Sequence, residues 1–341
     1  MVCIRALEIG YGTTSVTTDD ARSVTTIPSI VVSSNGSAEQ KLGFGKSNSI
    51  QVRLPSGQSY LVGNELDERT VATRVLTSDF VKTDQYHALF LAALSKLDTD
   101  VVDVLSCGLP VNNMAASDAV KELAIGTHIV DGRKITIKDA MVFAQPIGTL
   151  ASHLNAIDAD SDEIHTRKLV IDCGYHTVDF LVAEGFVVSS SLNGAVDGGM
   201  SKLLDACQQD LETAFKSAPT IQSIDRAFYA NHHKGKRYLK LFGKKYSFPV
   251  CNGHTVDNKA VNEKFDLTPT IERVTNEAAS FVANKVGDGH NIDVILVGGG
   301  SGAHYIDAVK RRFPNHTVKL VGNPLSSVCV GLHLVAEMLT N

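Results

Sequence analysis

Two short stretches hold the residue types that phosphate chemistry requires. "LEIGYGTTSV" (7–16) carries Glu8, Gly10, Tyr11 and Thr13, and "IDCGYHTVDF" (171–180) repeats the order as Asp172, Gly174, Tyr175 and Thr177, each pair 164 residues apart. A glycine lets backbone approach an anion closely. Successive N–H groups in a tight turn form an anion nest, to which a threonine hydroxyl adds a donor. A carboxylate at the strand end cannot bind phosphate directly, but it can hold a hydrated Mg²⁺ that bridges phosphate oxygens. Two such turns facing each other would clamp a phosphorylated ligand between them. Either one alone also reads as an ordinary glycine-containing hairpin; the repetition favours the paired site.

A third stretch, "ILVGGGSGAHY" (295–305), runs from a buried strand through Gly298, Gly299, Gly300 and Ser301 into a helix, a bare-backbone surface suited to a nucleoside. It is not a dinucleotide fingerprint, because Ala303 fills the third glycine position. "GFGKS" (43–47) fails as a P-loop, since Gln40 stands where that motif needs its first glycine.

The elements around these turns alternate between strand and helix. Strands are expected over 2–9, near Val16, at 26–32, 59–63, 100–110 and 134–144, then at 168–172, 178–183, 186–190 and 293–300, where the strand ends in three glycines, and at "TVKLVG" (317–322). Helices are expected from Thr83 or Asp84, over 116–126, from "QPIG" to Ile157, over 198–217, 219–230, 268–286 and 302–312, and from Leu325. Thr268 reads as the cap of its helix, with Pro269 first inside. Residues 34–58 read as loop or edge hairpins, and "DADSDE" (158–163) as a linker. This alternation implies α/β layers with mixed sheets, and the 164-residue offset implies two halves of related design.

The chain has 341 residues, enough for two cores, with 43% hydrophobic and 20% charged content. No apolar run is long enough to span a membrane, and Arg5 and Glu8 interrupt the first apolar stretch, against a secretory signal. Six scattered cysteines without a C-x-x-C motif read as buried reduced thiols of a cytoplasmic protein. The adjacent His232 and His233 lack the partners of a zinc site. The net charge of −5 is uneven: residues 226–245 hold seven cations and no acid, leaving −12 on the other 321 residues. That stretch reads as a solvated surface, as a polymer contact, or as a DNA contact through Tyr229, Tyr238, Phe242 and Tyr246 among the cations. The acidic remainder argues against direct DNA contact.

The order of the three turns resembles the actin, sugar-kinase and heat-shock-chaperone ATPase superfamily, and within it the bacterial ParM/StbA plasmid-segregation actins. The stretches "IGYGTT", "IPSIV", "YLVGNEL", "SCGLPV", "FAQPIG", "IDCGYHTVDF", "GAVDGGMS", "VILVGGG" and "NPLSSVCVGL" carry the likeness. The resemblance implies a duplicated, ribonuclease H-like actin fold with a nucleotide cleft between two domains. Domain I would comprise 1–162 plus 325–341, with a smaller lobe at about 20–82. Domain II would comprise 163–324, with a smaller lobe at about 205–266. It implies a Mg-dependent ATPase that polymerises head to tail and moves plasmid DNA through a DNA-bound adaptor. ATP or GTP and Mg²⁺ are the implied ligands. Asp172 would hold the metal through water with Glu8 as partner, and Gln145 would orient the attacking water, or else simply cap the next helix. Gly10, Tyr11, Gly12, Thr13 and Thr14 would bind phosphate from one side and Gly174, Tyr175, His176 and Thr177 from the other. Gly298, Gly299, Gly300 and Ser301 would face the nucleoside, and Gly198 and Gly199 would open a helix lining the same pocket. Two departures bear on the rate of hydrolysis: relatives carry Asp where this chain has Glu8, and often a lysine where it has Ser15. A small-molecule kinase, a chaperone-type switch and a non-hydrolysing scaffold are the rival readings. The kinase would need a general-base Asp, and only Asp179, within a strand, stands beside the turns. A chaperone would need a substrate-binding region beyond residue 341.

Overall fold

The computed structural model describes residues 2–19, 23–34, 49–63, 79–157, 162–229, 237–241, 243–251, 255–256, 259–260 and 265–340. The 43–47 stretch, His232, His233, Lys234, Lys236, Phe242 and the first four residues of the acidic linker lie outside them.

Two sheets are built to one plan. The first half runs β1 (Ile4–Ile9), β2 (Thr13–Thr17), β3 (Val24–Pro28), β4 (Val31–Ser34), β5 (Ile50–Arg53), β6 (Ser59–Val62), α1 (Asp84–Leu94), β7 (Val101–Leu109), α2 (Ser117–Ala124), β8 (Gly126–Val130), β9 (Arg133–Ala144) and α3 (Gln145–Ala156). The second runs β10 (Arg167–Cys173), β11 (Thr177–Glu184), β12 (Val187–Asp197), α4 (Met200–Phe215), α5 (Ile221–Tyr229), β13 (Tyr238–Leu241), β14 (Lys244–Ser247), α6 (Thr268–Val286), β15 (Val294–Gly298), α7 (Gly302–Arg312), β16 (Thr317–Leu320) and α8 (Ser327–Thr340). Strand order is β3-β2-β1-β7-β9-β8 in one sheet and β12-β11-β10-β15-β16 in the other. In each, an antiparallel meander comes first and a parallel strand then adds beside its first member.

The offset survives in the register. Glu8 pairs with Ser15 across the first hairpin and with Gly108 on the parallel side. Asp172 pairs with Asp179 and with Gly298 in the same way. Both acids therefore end a central strand at the carboxyl edge of a sheet, where α/β folds hold their ligands.

The halves meet on α3. Leu150 and Leu154 pack with Val170, Leu181 and Leu296 of the second sheet. On its other side α3 crosses α8 so closely that a Cβ on Gly331 would lie 1.7 Å from the Gly148 carbonyl oxygen. Through Val328, Cys329 and Leu332, α8 also covers Ala6 of β1, so the end of the chain returns to the first half.

Two sequence expectations change. "TIPSIVV" is not one strand: β3 ends at Pro28 and β4, in a separate three-stranded sheet, begins at Val31. Ser29 between them is drawn to the first turn, donating to the Gly10 carbonyl at 2.6 Å. Within 34–58 the expected edge hairpin is present as β5, paired antiparallel with β6 at the edge of the three-stranded sheet. Finally, Thr268 is the first residue of α6 and not its cap: Leu267 holds the cap position without a side-chain bond, and the Asp266 carboxylate accepts from the Thr268 N–H at 2.8 Å.

Candidate nucleotide cleft

The two turns close with the same bond. Gly10 N–H donates to Thr13 O and Gly174 N–H to Thr177 O, both at 2.9 Å. Each turn is also held from behind. Ser29 takes the Gly10 and Gly12 carbonyls. The amides of Gly199, Met200 and Ser201 take the carbonyls of His176, Gly174 and Tyr175. Carbonyls occupied from behind cannot repel a phosphate in front. The turns interlock across the cleft: a Cβ on Gly12 would sit 2.7 Å from the Tyr175 Cβ, and Tyr11 meets His176 edge-on with ring centroids 4.9 Å apart.

Both turns open on a cavity of about 680 Å³, the size of a nucleotide site. Glu8, Gly10, Tyr11, Gly12, Thr13, Gln145, Asp172, Gly174, Tyr175, His176, Thr177, Gly299, Gly300 and Ser301 line it. Four expected residues do not. Thr14 is buried against Ser29, and Gly298 lies against Thr149. Gly198 and Gly199 stand behind the second turn, and Met200 is the residue of that segment that reaches the cavity. Gly199 is required there because a Cβ would come within 2.7 Å of the Gly174 carbonyl oxygen. Gly299, at φ +78°, likewise leaves no room for a side chain, with Asp172 Oδ1 at 2.5 Å from a built Cβ.

The carboxylates set the electrostatics. Burial first, and the charge of Asp172 second, push Glu8 up to about 8. Burial and then Asp179 push Asp172 up to about 7, and burial pushes Asp179 up to about 6. Asp172 Oδ1 is buried with no hydrogen-bond partner. Glu8 and Asp172 both line the cavity, and with the orphaned Asp172 oxygen they form a donor pair suited to a hydrated divalent cation, whose charge would favour their ionised forms. No three His, Cys, Asp or Glu side chains converge among the described residues, so such an ion would keep water and phosphate as most of its ligands. Gln145 opens α3, and its Nε2 donates to Glu8 Oε1 at 3.1 Å. Ser15 is fully buried and bonds Thr26, away from the cavity.

Sequence reasoning passed over several residues. Asp179 is a clasp between the halves: its Oδ1 accepts from Val111 N–H at 2.6 Å and its Oδ2 from Thr177 Oγ1 at 2.5 Å. The Thr177 hydroxyl is therefore committed to Asp179 rather than offered to the cavity. At the far end, Phe228 and Tyr229 meet His304 edge-on, and Tyr229 Oη donates to the Gly300 carbonyl. Burial, with Arg237 nearby, lowers His304 to about 4, so its ring is neutral at pH 7. Arg226 and Arg237, the first and fourth cations of the basic stretch, line this end, whereas Lys240 and Lys245 of its hairpin are exposed. No local motif marks these positions, because they converge from α5, α7 and the approach to β13.

Residues 6–148 match the family model of the actin-like proteins' N-terminal domain. No curated protein matches the chain. The whole chain is similar to a non-polymerisable quadruple mutant of pCBH ParM, with a TM-score of 0.74 at 17% identity, covering 99% of this chain and 100% of that one. It is similar to an archaeal actin homologue in complex with ADP, at 0.73 and 15% identity, with 99% and 100% covered. It is also similar to the subunit of a 15-stranded ParM filament from Clostridium botulinum, at 0.70 and 17% identity, with 99% of each covered. The chain has the actin-like fold and resembles ParM proteins along its length.

Proposed function

From that fold, we propose that the chain is a nucleotide-dependent polymerising protein: it binds ATP or GTP with Mg²⁺ in the cleft, assembles head to tail and hydrolyses the nucleotide. The observation that carries this reading is the pair of matching turns, each ending on a buried acid, that face one nucleotide-sized cavity. An archaeal protein of similar fold holds ADP, and a ParM of similar fold forms a filament. Head-to-tail contacts that do not close give open helical polymers. Movement of plasmid DNA through an adaptor is the biological role we attach to it.

Each residue has a part in this proposal. The turn backbones and Thr13 grip the phosphates. Asp172 and Glu8 would hold the hydrated Mg²⁺, which when bound neutralises phosphate charge. Gln145, anchored on Glu8, is placed to orient a water. The glycine turn and the ring cluster of Phe228, Tyr229 and His304 receive the nucleoside. Asp179 has both carboxylate oxygens engaged, which disfavours the small-molecule kinase that would need it as a general base. The non-hydrolysing scaffold keeps support from the buried Ser15 and from Glu8, whose carboxylate folds back to 3.0 Å from where a Gly10 Cβ would lie.

Light scattering tests the proposal. Scattering should rise when Mg²⁺ and ATP or GTP are added and decay as phosphate is released. No rise with either nucleotide removes polymerisation from the reading; a rise without phosphate release leaves the scaffold.

A further inference from the structure

The acidic linker ends in a carboxylate with two arms. Glu163, in the 3₁₀ turn Asp162–His165, accepts from His153 Nε2 of α3 at 2.8 Å through Oε1 and from Lys319 Nζ of β16 at 2.5 Å through Oε2. Its backbone is fixed as well. Lys168 is fully buried, and its Nζ donates to the carbonyls of Glu163 and Thr166 and to the Thr166 hydroxyl. A cation gathered onto the last carbonyls of a helical turn holds that turn in place.

The bridge runs from the second sheet to the far end of α3. Gln145, Thr149 and His153 recur every four residues and so lie along one line of that helix. At the head of the line Gln145 Nε2 reaches Glu8 of the first sheet. In the middle Thr149 abuts β15, where a Cβ on Gly298 would lie 2.5 Å from its Cγ2. At the foot, about 12 Å of helix away from the head, His153 meets Glu163. Leu150 and Leu154 pack beside this line on the second sheet. The foot of α3 is thus tied to one half, while the oxygen that Gln145 grips belongs to the other.

Resting on the hydrolysis reading and the part it gives Gln145, we propose that Glu163 is a positioning residue: it fastens the foot of α3 to β16, so that Gln145 at the head meets Glu8 in the geometry that hydrolysis requires. The Glu163 side chain is 18% exposed, so water screens its two bonds little. Hydrogen bonds to a charged acceptor of this kind are among the strong ones, enough to hold a helix end. Because the helix between foot and head is rigid, a shift at His153 is carried to Gln145.

Two measurements on the full chain test this. In hydrogen exchange without nucleotide, Glu163→Ala should speed exchange of the α3 amides by about tenfold or more and leave those of α1 and α2 within about twofold. In Mg²⁺ with ATP or GTP, Glu163→Ala should slow phosphate release by about tenfold with nucleotide affinity within about threefold, and adding it to Gln145→Ala should slow release no further. Lys319→Met, which removes one arm, carries both comparisons should Glu163→Ala fail to fold. Unchanged α3 exchange, or the same slowing in the presence and absence of Gln145, overturns the positioning role and leaves the hydrolysis reading standing. A wild type that releases no phosphate overturns both.

Discussion

Replacing Asp172 with Asn should make the unliganded protein more stable and the liganded protein inactive. The carboxyl is raised from 3.8 to about 7 by burial and then by Asp179. A group held above its unfolded value contributes stability that is fully present below the unfolded value and lost as pH rises through the folded one. Below about pH 4 the acid is protonated in both states and Asn gains nothing. By pH 8 it is ionised in both, and the native state has lost about 4 kcal/mol at ~1.4 kcal/mol per unit. Asn cannot ionise and so escapes that loss, and it also relieves Glu8, which Asp172 holds up. The ceiling is therefore about 4 kcal/mol, or about 8 °C at ~2 °C per kcal/mol. Thermal melts from pH 4.5 to 8.5 should show a Tm advantage for Asp172→Asn that grows with pH. Mg²⁺-dependent phosphate release should fall to background in the same variant. A variant less stable than wild type at every pH, or one that keeps Mg²⁺-dependent release, would refute the buried-acid argument.

Two further outcomes follow from the same geometry. Gln145→Ala should slow phosphate release at least tenfold while nucleotide affinity stays within a few-fold, because a group that orients water acts mainly in the transition state; collapse of affinity together with Tm would make Gln145 a structural support of Glu8. Gly331→Ala should cost about 3 kcal/mol or more in urea melts, since the added methyl meets the Gly148 carbonyl oxygen and α8 must move off α3; a loss under about 1 kcal/mol would mean that the crossing yields easily.

Much of the site was legible in the sequence because its parts are local. A strand-end acid, a glycine and a threonine within six residues make a turn by themselves, and the repeat at 164 residues revealed two halves before any contact was known. The bond from Gly10 to Thr13 and its copy from Gly174 to Thr177 are short-range and need no partner from elsewhere. Alternating strands and helices likewise gave the layers. Tertiary structure alone decided which side chains face the ligand and which support it. Gly198, Gly199, Gly298 and Thr14 sit in the right segments yet fall behind the cleft wall, because a turn has two faces and its sequence does not say which is buried. Asp179 looked like a strand interior residue and became a clasp because its acceptor oxygens find Val111 in the other half, 68 residues away. Arg226 and Arg237 looked like part of one basic surface and instead line the cavity from α5 and the approach to β13. The pKa values are tertiary as well: Glu8 and Asp172 lie far apart in the chain and on different sheets, and only their burial at one cleft sets Glu8 against the charge of Asp172, while Asp172 itself is raised by burial and Asp179.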